Sequence, residues 1–165
     1  MTLQIQQISA FILDFDGVLT NNKVLVDEHS KEYVLCNKSD GLAFDALRAL
    51  KVQSFLVSTD KNPLVKARAK KLRVEAFNNI AEKSKFIKRL AAKRNLDLGK
   101  MFYVGNDLND FKAMKLCNYS ACPSDSHDRI KNIATYNLKC MGGDGVLREI
   151  LEEIFNLDLV EILYS

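Results

Sequence analysis

The chain reads as an α/β protein, a doubly wound parallel sheet with helices on both faces, and three observations carry that prediction. Short continuous apolar runs of strand length recur along it, each stopping at a polar or glycine-containing loop. Between them lie segments whose apolar residues follow helical spacing, so strand and helix alternate. With 165 residues, 47% hydrophobic and 27% charged, two prolines and no low-complexity tract, the chain suits one globular domain spanning 1–165.

Phe11-Ile12-Leu13 is the first buried strand, and it runs into Asp14-Phe15-Asp16-Gly17. From about 18 to 35 the pattern changes: Val24 and Val26, then Tyr33 to Leu35, flank Asp27-Glu28-His29-Ser30-Lys31 as a short hairpin with a polar turn. Placed directly after the first strand, that flap would cover its end. Asn37-Lys38-Ser39-Asp40-Gly41 leads into a helix with Leu42, Ala43, Ala46, Leu47 and Leu50 on its apolar face. Ser54 to Val57 is a second strand ending in Ser58 and Thr59, and Pro63 opens a helix through Leu72.

Val74 to Phe77 is a third strand, and Lys83 to Arg94 a helix with Phe86, Ile87, Leu90 and Ala91 inward. Met101 to Val104 is a fourth strand, stopping at Gly105-Asn106-Asp107-Leu108-Asn109-Asp110 before a helix carrying Phe111 and Met114. Tyr119 to Cys122 and Tyr136 to Leu138 read as strands around a helix from about Asp125 to Ile133. Gly142-Gly143-Asp144-Gly145 opens the clearest amphipathic helix, with Val146, Leu147, Ile150, Leu151, Ile154 and Phe155 on one face, followed by an apolar tail over 157–165.

Several function classes lose support. A net charge of +3 does not demand nucleic acid, and the basic stretches Lys66 to Arg73 and Lys83 to Arg94 interleave with apolar positions as solvated helix faces do. No apolar run reaches bilayer length, and the amino terminus lacks a basic start followed by an apolar core, so a cytoplasmic protein without membrane partners is expected. Cys36, Cys117, Cys122 and Cys140 form no C-x-x-C pair and read as reduced, packed thiols. His29 and His127 fall in polar turns, and no Walker loop is present.

Chemistry concentrates at strand ends. In an extended segment Asp14 and Asp16 share a face, and two crowded carboxylates need a shared proton or a cation, for which Mg2+ with oxygen ligands is the simpler choice at neutral pH. The alternative is a strand ending in an Asp-Gly turn with solvated acids. Ser58 either offers a hydroxyl to a ligand or caps the next loop. Lys83 opens a helix against the macrodipole, although Lys85, Lys88 and Lys93 are comparable on spacing alone. The loop 105–110 is either an acidic metal-binding loop or a helix N-cap.

Together these segments resemble the four ordered motifs of the haloacid dehalogenase superfamily of phosphatases: Asp14-x-Asp16-Gly17-Val18-Leu19-Thr20, Ser58, Lys83 and Gly105-Asn106-Asp107-Leu108-Asn109-Asp110. The resemblance implies that Asp14 is the nucleophile forming an aspartyl-phosphate and that Asp16 is the general acid and base. It also implies that Ser58 binds a phosphate oxygen and that Lys83 neutralises charge. Asp14, Asp16 and Asp107 would hold Mg2+, with Asn106 and Asp110 behind them; Asn106 stands where many relatives have Asp, which leaves the division of roles in that loop open.

Lys38-Ser39-Asp40-Gly41, Ser58-Thr59-Asp60-Lys61-Asn62-Pro63 and Gly142 to Glu149 are similar to the capless subgroup that hydrolyses octulosonate 8-phosphates and sialic-acid-type 9-phosphates, the second stretch especially to the phosphatase-like module of some acylneuraminate cytidylyltransferases. On that resemblance Gly17, Thr59, Lys38, Asp40 and Arg148 contact substrate, and the chain forms a homotetramer in which a neighbour helps to close each site. The tail either meets that neighbour or folds back on its own domain. Relatives commonly carry Arg where this chain has Ser39, so Lys38 or Arg148 compensates or the substrate differs. Two other readings compete: a catalytically silent module of sialic-acid activation, and a general small sugar-phosphate phosphatase.

Overall fold

A computed structural model describes residues 3–165. Six parallel strands form the main sheet: β1 (Ala10–Leu13), β4 (Gln53–Val57), β5 (Glu75–Phe77), β6 (Met101–Val104), β7 (Tyr119–Cys122) and β8 (Tyr136–Asn137). Their spatial order is β5-β4-β1-β6-β7-β8. The chain winds outward from β1 to β5, returns to β6 beside β1, and winds outward the other way, which puts the topological switch between β1 and β6. Crevices at the carboxyl ends of such strands are where open α/β sheets bind ligands.

β1 is central, and all four of its residues are buried, because its sides face two separate apolar layers. Phe11 and Leu13 pack under α1 (Asp40–Ala49), α2 (Leu64–Leu72), α6 (Val146–Glu149) and α7 (Leu159–Tyr164). Ala10 and Ile12 pack under α3 (Lys83–Arg94), α4 (Phe111–Met114) and α5 (Asp128–Lys131). A strand covered on both faces has no polar alternation, which is why the sequence shows it as a plain apolar run.

The flap is an antiparallel pair, β2 (Leu25–Val26) and β3 (Glu32–Tyr33). Asp27 Oδ1 accepts from the N–H groups of His29 (3.0 Å) and Lys31 (2.9 Å), closing the polar turn. The ribbon stands off the core, with Val24, Leu25, Val26 and Leu35 all exposed. It is tied back by an antiparallel bridge between Thr20 and Cys36 and by Asn62, whose amide donates to Glu32 Oε2 at 2.7 Å.

Three expectations change in detail. The segment after Gly145 starts as α6 but becomes a π turn over Ile150–Ile154, with Phe155 N–H donating to Ile150 O at 3.2 Å; the same apolar face stays buried, at wider spacing. The helix expected from about Asp125 to Ile133 shortens to α5, capped by His127, whose imidazole accepts from Arg129 N–H. The tail forms α7, capped by Asp158; Leu159 is buried against the protein's own core while Val160 and Tyr164 remain exposed. Among the described residues all four cysteines are unpaired, and no helix is long and apolar enough to cross a membrane.

Candidate active site

A cleft of about 350 Å³ opens at the switch point, lined by Asp14, Asp16, Asn22, Thr59, Asn106, Asp107, Leu108 and Asn109. Its floor is Asp14, the residue after β1. One carboxylate oxygen accepts from Phe15 N–H at 2.7 Å and the other receives Lys83 Nζ at 2.7 Å. Lys83 is buried with its ammonium also 2.7 Å from Asp110 Oδ1. The same Asp110 oxygen takes the Tyr103 hydroxyl at 2.6 Å, and Asp110 Oδ2 takes the N–H groups of Asn106 (3.0 Å) and Asp107 (3.4 Å). Asp14, Lys83, Asp110 and Tyr103 thus form one continuous buried chain.

Its electrostatics follow from burial and proximity. Burial pushes Asp14 up from the ordinary carboxylate range and the Asp110 charge adds to the push, more than Lys83 offsets. Burial works to deprotonate Lys83, but the two carboxylates outweigh it and hold the ammonium protonated above its usual value. That resolves the oddity of a lysine at a helix start: its partners are side chains, and they override the macrodipole. Burial, then the charges of Asp60 and, against the pull of Lys83, Glu32, raise Asp16 as well.

The two aspartates of the first motif share the cleft but not an extended backbone. β1 ends at Leu13, and the chain curls at Phe15, whose carbonyl accepts from Val18 and Leu19 N–H. Asp16 therefore sits in a turn, where its acidic neighbours are Asp60 and Glu32, whereas Asp110 crowds Asp14. Gly17 makes that turn possible: its φ is +78°, and a Cβ there would collide with the Asn106 amide. Its own N–H donates to Thr20 Oγ1 at 3.1 Å, so Gly17 serves here through what it lacks.

Other nominated residues divide. Thr59 reaches the cleft and accepts from the Asn109 amide at 3.3 Å. Ser58 is buried beside it, and its Oγ accepts from Asp60 N–H at 3.0 Å, the loop-capping arrangement. Asp110 lies behind the cleft and anchors the loop that carries Asn106 and Asp107. Lys38, Asp40 and Arg148 do not line the cleft. Lys38 is exposed, and Arg148 turns along its own helix to Glu152 at 3.1 Å. Asp40 is buried with neither carboxylate oxygen hydrogen-bonded. For Lys38 and Asp40 the reason is that the loop 37–41 feeds α1 in the layer over Phe11 and Leu13, so its side chains enter that layer or face outward; Arg148 stands on α6 in the same layer.

Tyr103, Asn22 and Asn109 are site residues that sequence reading missed. Tyr103 left a signal, since a buried phenol two residues before an acidic loop needs an acceptor; the asparagines left none.

Asp14, Asp16, Asp107 and the Asn106 amide oxygen supply the hard oxygen donors that Mg2+ prefers, all on one cleft. The raised Asp14 fits too, because Lys83 alone does not neutralise two buried carboxylates. Among the described residues no three acidic, histidine or cysteine side chains close around one point, and Asp107 is exposed with its carboxylate turned to Leu108 N–H at 2.7 Å. The donor set fits by chemistry rather than by a preformed cage.

Known proteins resemble this chain along most of its length. The chain is 26% identical over 155 residues to the 3-deoxy-D-manno-octulosonate 8-phosphate phosphatase KdsC of Haemophilus influenzae, covering 93% of this chain and 86% of that protein. It is 28% identical over 150 residues to the N-acylneuraminate cytidylyltransferase of Oncorhynchus mykiss, but spans only 35% of that protein's length. The fold matches a 3-deoxy-D-manno-octulosonate 8-phosphate phosphatase from Moraxella catarrhalis, solved with magnesium, phosphate and KDO, at a TM-score of 0.85 and 22% identity over 94% of this chain and 87% of the other. A chain from Streptomyces avermitilis assigned to the HAD hydrolases superposes with a TM-score of 0.92 at 33% identity, covering 96% of this chain and 91% of the other. With residues 50–150 also matching the haloacid dehalogenase-like hydrolase model, the chain belongs to that family.

Proposed function

We propose that the protein is a Mg2+-dependent phosphomonoesterase that hydrolyses a 3-deoxy-2-ulosonic acid phosphate, octulosonic or sialic-acid-like nonulosonic, through an aspartyl-phosphate on Asp14. The observation that carries the reading is Asp14 itself: a carboxylate fixed by Phe15 N–H and Lys83 at the floor of a cleft, with Asp16 beside it and uncommitted. The likeness to KdsC along most of both chains supports the substrate class.

In this mechanism a carboxylate oxygen of Asp14 attacks phosphorus as the bond to the leaving alkoxide breaks. Asp16 gives that alkoxide its proton, then takes one from the water that attacks the phosphorus of the aspartyl-phosphate and frees Asp14. Burial and the Asp60 charge raise Asp16, which makes it a better proton donor to the leaving group than an ordinary solvated carboxylate. Lys83 balances Asp14 before attack and the phosphate oxygens after it, and Thr59 borders the phosphate position. Asp14, Asp16 and Asp107, with Asn106, would hold Mg2+, which when bound would supply charge neutralisation that Lys83 alone does not.

The reading extends to a cytoplasmic homotetramer. Its support is the exposed apolar side chains on the flap (Leu25, Val26, Leu35) and on α7 (Val160, Tyr164), which second copies would cover, and four unpaired cysteines suited to a reducing compartment. The likeness to part of a cytidylyltransferase favours one competing reading, a catalytically silent module. Phosphate release from octulosonate 8-phosphate, nonulosonate 9-phosphates and simple sugar phosphates, with Mg2+ or with chelator, separates them. Native protein should turn over a sugar acid phosphate only with the metal, and Asp14→Asn should abolish turnover while keeping its circular dichroism spectrum. A folded native protein inactive on the whole panel would leave the silent module standing.

A further inference from the structure

A second cavity, of about 640 Å³, adjoins the carboxylate cleft and shares Leu108 and Asn109 with it; its other walls are the start of α3 and the outer face of α4. The two cavities have opposite character. The cleft is lined by three aspartates and no cation, whereas its neighbour holds Lys83, Lys85, Lys112 and Arg129 against a single acid, Glu82.

Two of those cations are already engaged. Lys83 serves Asp14 and Asp110, and Lys85 pairs with Glu82 at 2.8 Å. Lys112 and Arg129, among the described residues, have no carboxylate within 4.0 Å. Arg129 lies over the Phe111 ring, its guanidinium carbon 5.3 Å from the centroid, so one face is covered and its N–H edge stays available to a planar anion. Glu82 at the start of α3 is held low by the hydrogen bond and charge of Lys85, with a smaller contribution from Lys112. The first turn of the 12-residue α3 adds partial positive charge on the same wall.

We propose that this groove binds the carboxylate of the substrate through Lys112 and Arg129, while the phosphate occupies the cleft at Asp14. The inference rests on the sugar-acid reading above and deepens it. A substrate anionic at both ends needs a second cationic patch beside the cleft, since the acidic cleft itself repels a second anion, and this groove meets the cleft at Leu108 and Asn109. Lys38 and Arg148, the basic residues that the sequence nominated for that anion, do not line the cleft. The basic cavity next to it does present uncommitted cations. Lys112 and Arg129 are thus specificity-determining residues from α4 and α5, outside the four motifs.

The test is steady-state kinetics on octulosonate 8-phosphate against arabinose 5-phosphate, which has no carboxylate, for native protein, Lys112→Ala, Arg129→Ala, Arg129→Lys and the double alanine variant. Both side chains are exposed, so the variants should fold. Native protein should prefer the sugar acid phosphate. Each alanine change should raise its KM roughly tenfold with kcat little changed, as for loss of a charge-assisted contact, and Arg129→Lys should fall between. In the double variant the preference should collapse, and competitive inhibition by phosphate-free octulosonate should weaken in step. A preference that survives in the double variant, or equal losses on both substrates, overturns the groove while leaving the phosphatase reading intact. A native enzyme with no preference for the carboxylate overturns both.

Discussion

Asp14, just after β1, and Asp40, at the start of α1, are both buried aspartates, and they differ in the partners that surround them. Around Asp14 stand Phe15 N–H, Lys83, and behind Lys83 the Asp110–Tyr103 pair, so every buried charge touches an opposite charge or a donor. Around Asp40, at the first position of α1, neither oxygen has a partner; Arg68 acts on it only at a distance, donating instead to Asn37 O at 2.6 Å. Burial pushes Asp40 up to about 7. Burial raises both carboxyls, but around Asp14 an ammonium and a backbone donor oppose the rise, whereas around Asp40 only the charge of Arg68 does.

The sharpest way to break this contrast is Lys83→Met. It leaves Asp14 and Asp110 buried without their cation, and should cost about 3–5 kcal/mol of stability together with nearly all turnover. Adding Asp110→Asn should restore much of the stability in urea titrations but none of the turnover. Unchanged stability in the single variant would show that the buried chain of charges is not what holds this region.

Asp40→Asn probes the other side. A carboxyl raised from 3.8 to about 7 binds its proton more tightly folded than unfolded. Its contribution is therefore most favourable below about pH 4 and is lost as pH rises through 7, on the order of 4 kcal/mol. The variant should flatten that decline and unfold at higher urea than native protein at pH 8. Equal slopes for the two proteins would mean that Asp40 is ionised in the fold.

Tyr103→Phe removes one donor from Asp110 while Lys83 remains, so about 1 kcal/mol and a modest loss of kcat are expected, with KM little changed. The smallest effect belongs to Asn62→Ala, which frees the flap from its tie to Glu32. It should shift stability by under about 1 kcal/mol yet speed hydrogen exchange across β2 and β3.

Much of the architecture is legible because local rules and tertiary placement agree. β6, β7 and α3 fall on the residues that apolar runs and flanking polar loops delimit. Agreement fails where the backbone departs from regular geometry: the strand rule carries past Leu13 to Asp16, but the chain has already curled, and the 3.6-residue period gives no warning of the π turn at Ile150. The cleft is half legible. Asp14, Asp16, Thr59, Asn106 and Asp107 come together as the motifs imply, whereas Lys38, Asp40 and Arg148 lie outside.

The sequence by itself determined the alternation of elements, the placing of acids at the carboxyl ends of β1 and β6, and so the position of the cleft, because each depends on residues near one another along the chain. Only the tertiary structure decided which charges meet. That Lys83 joins Asp14 to Asp110, that Asp40 finds no partner, and that Lys112 and Arg129 face a groove beside the cleft depends on how segments tens of residues apart pack across the sheet. Electrostatic energy is a function of distance and burial, and neither is written in the order of the residues.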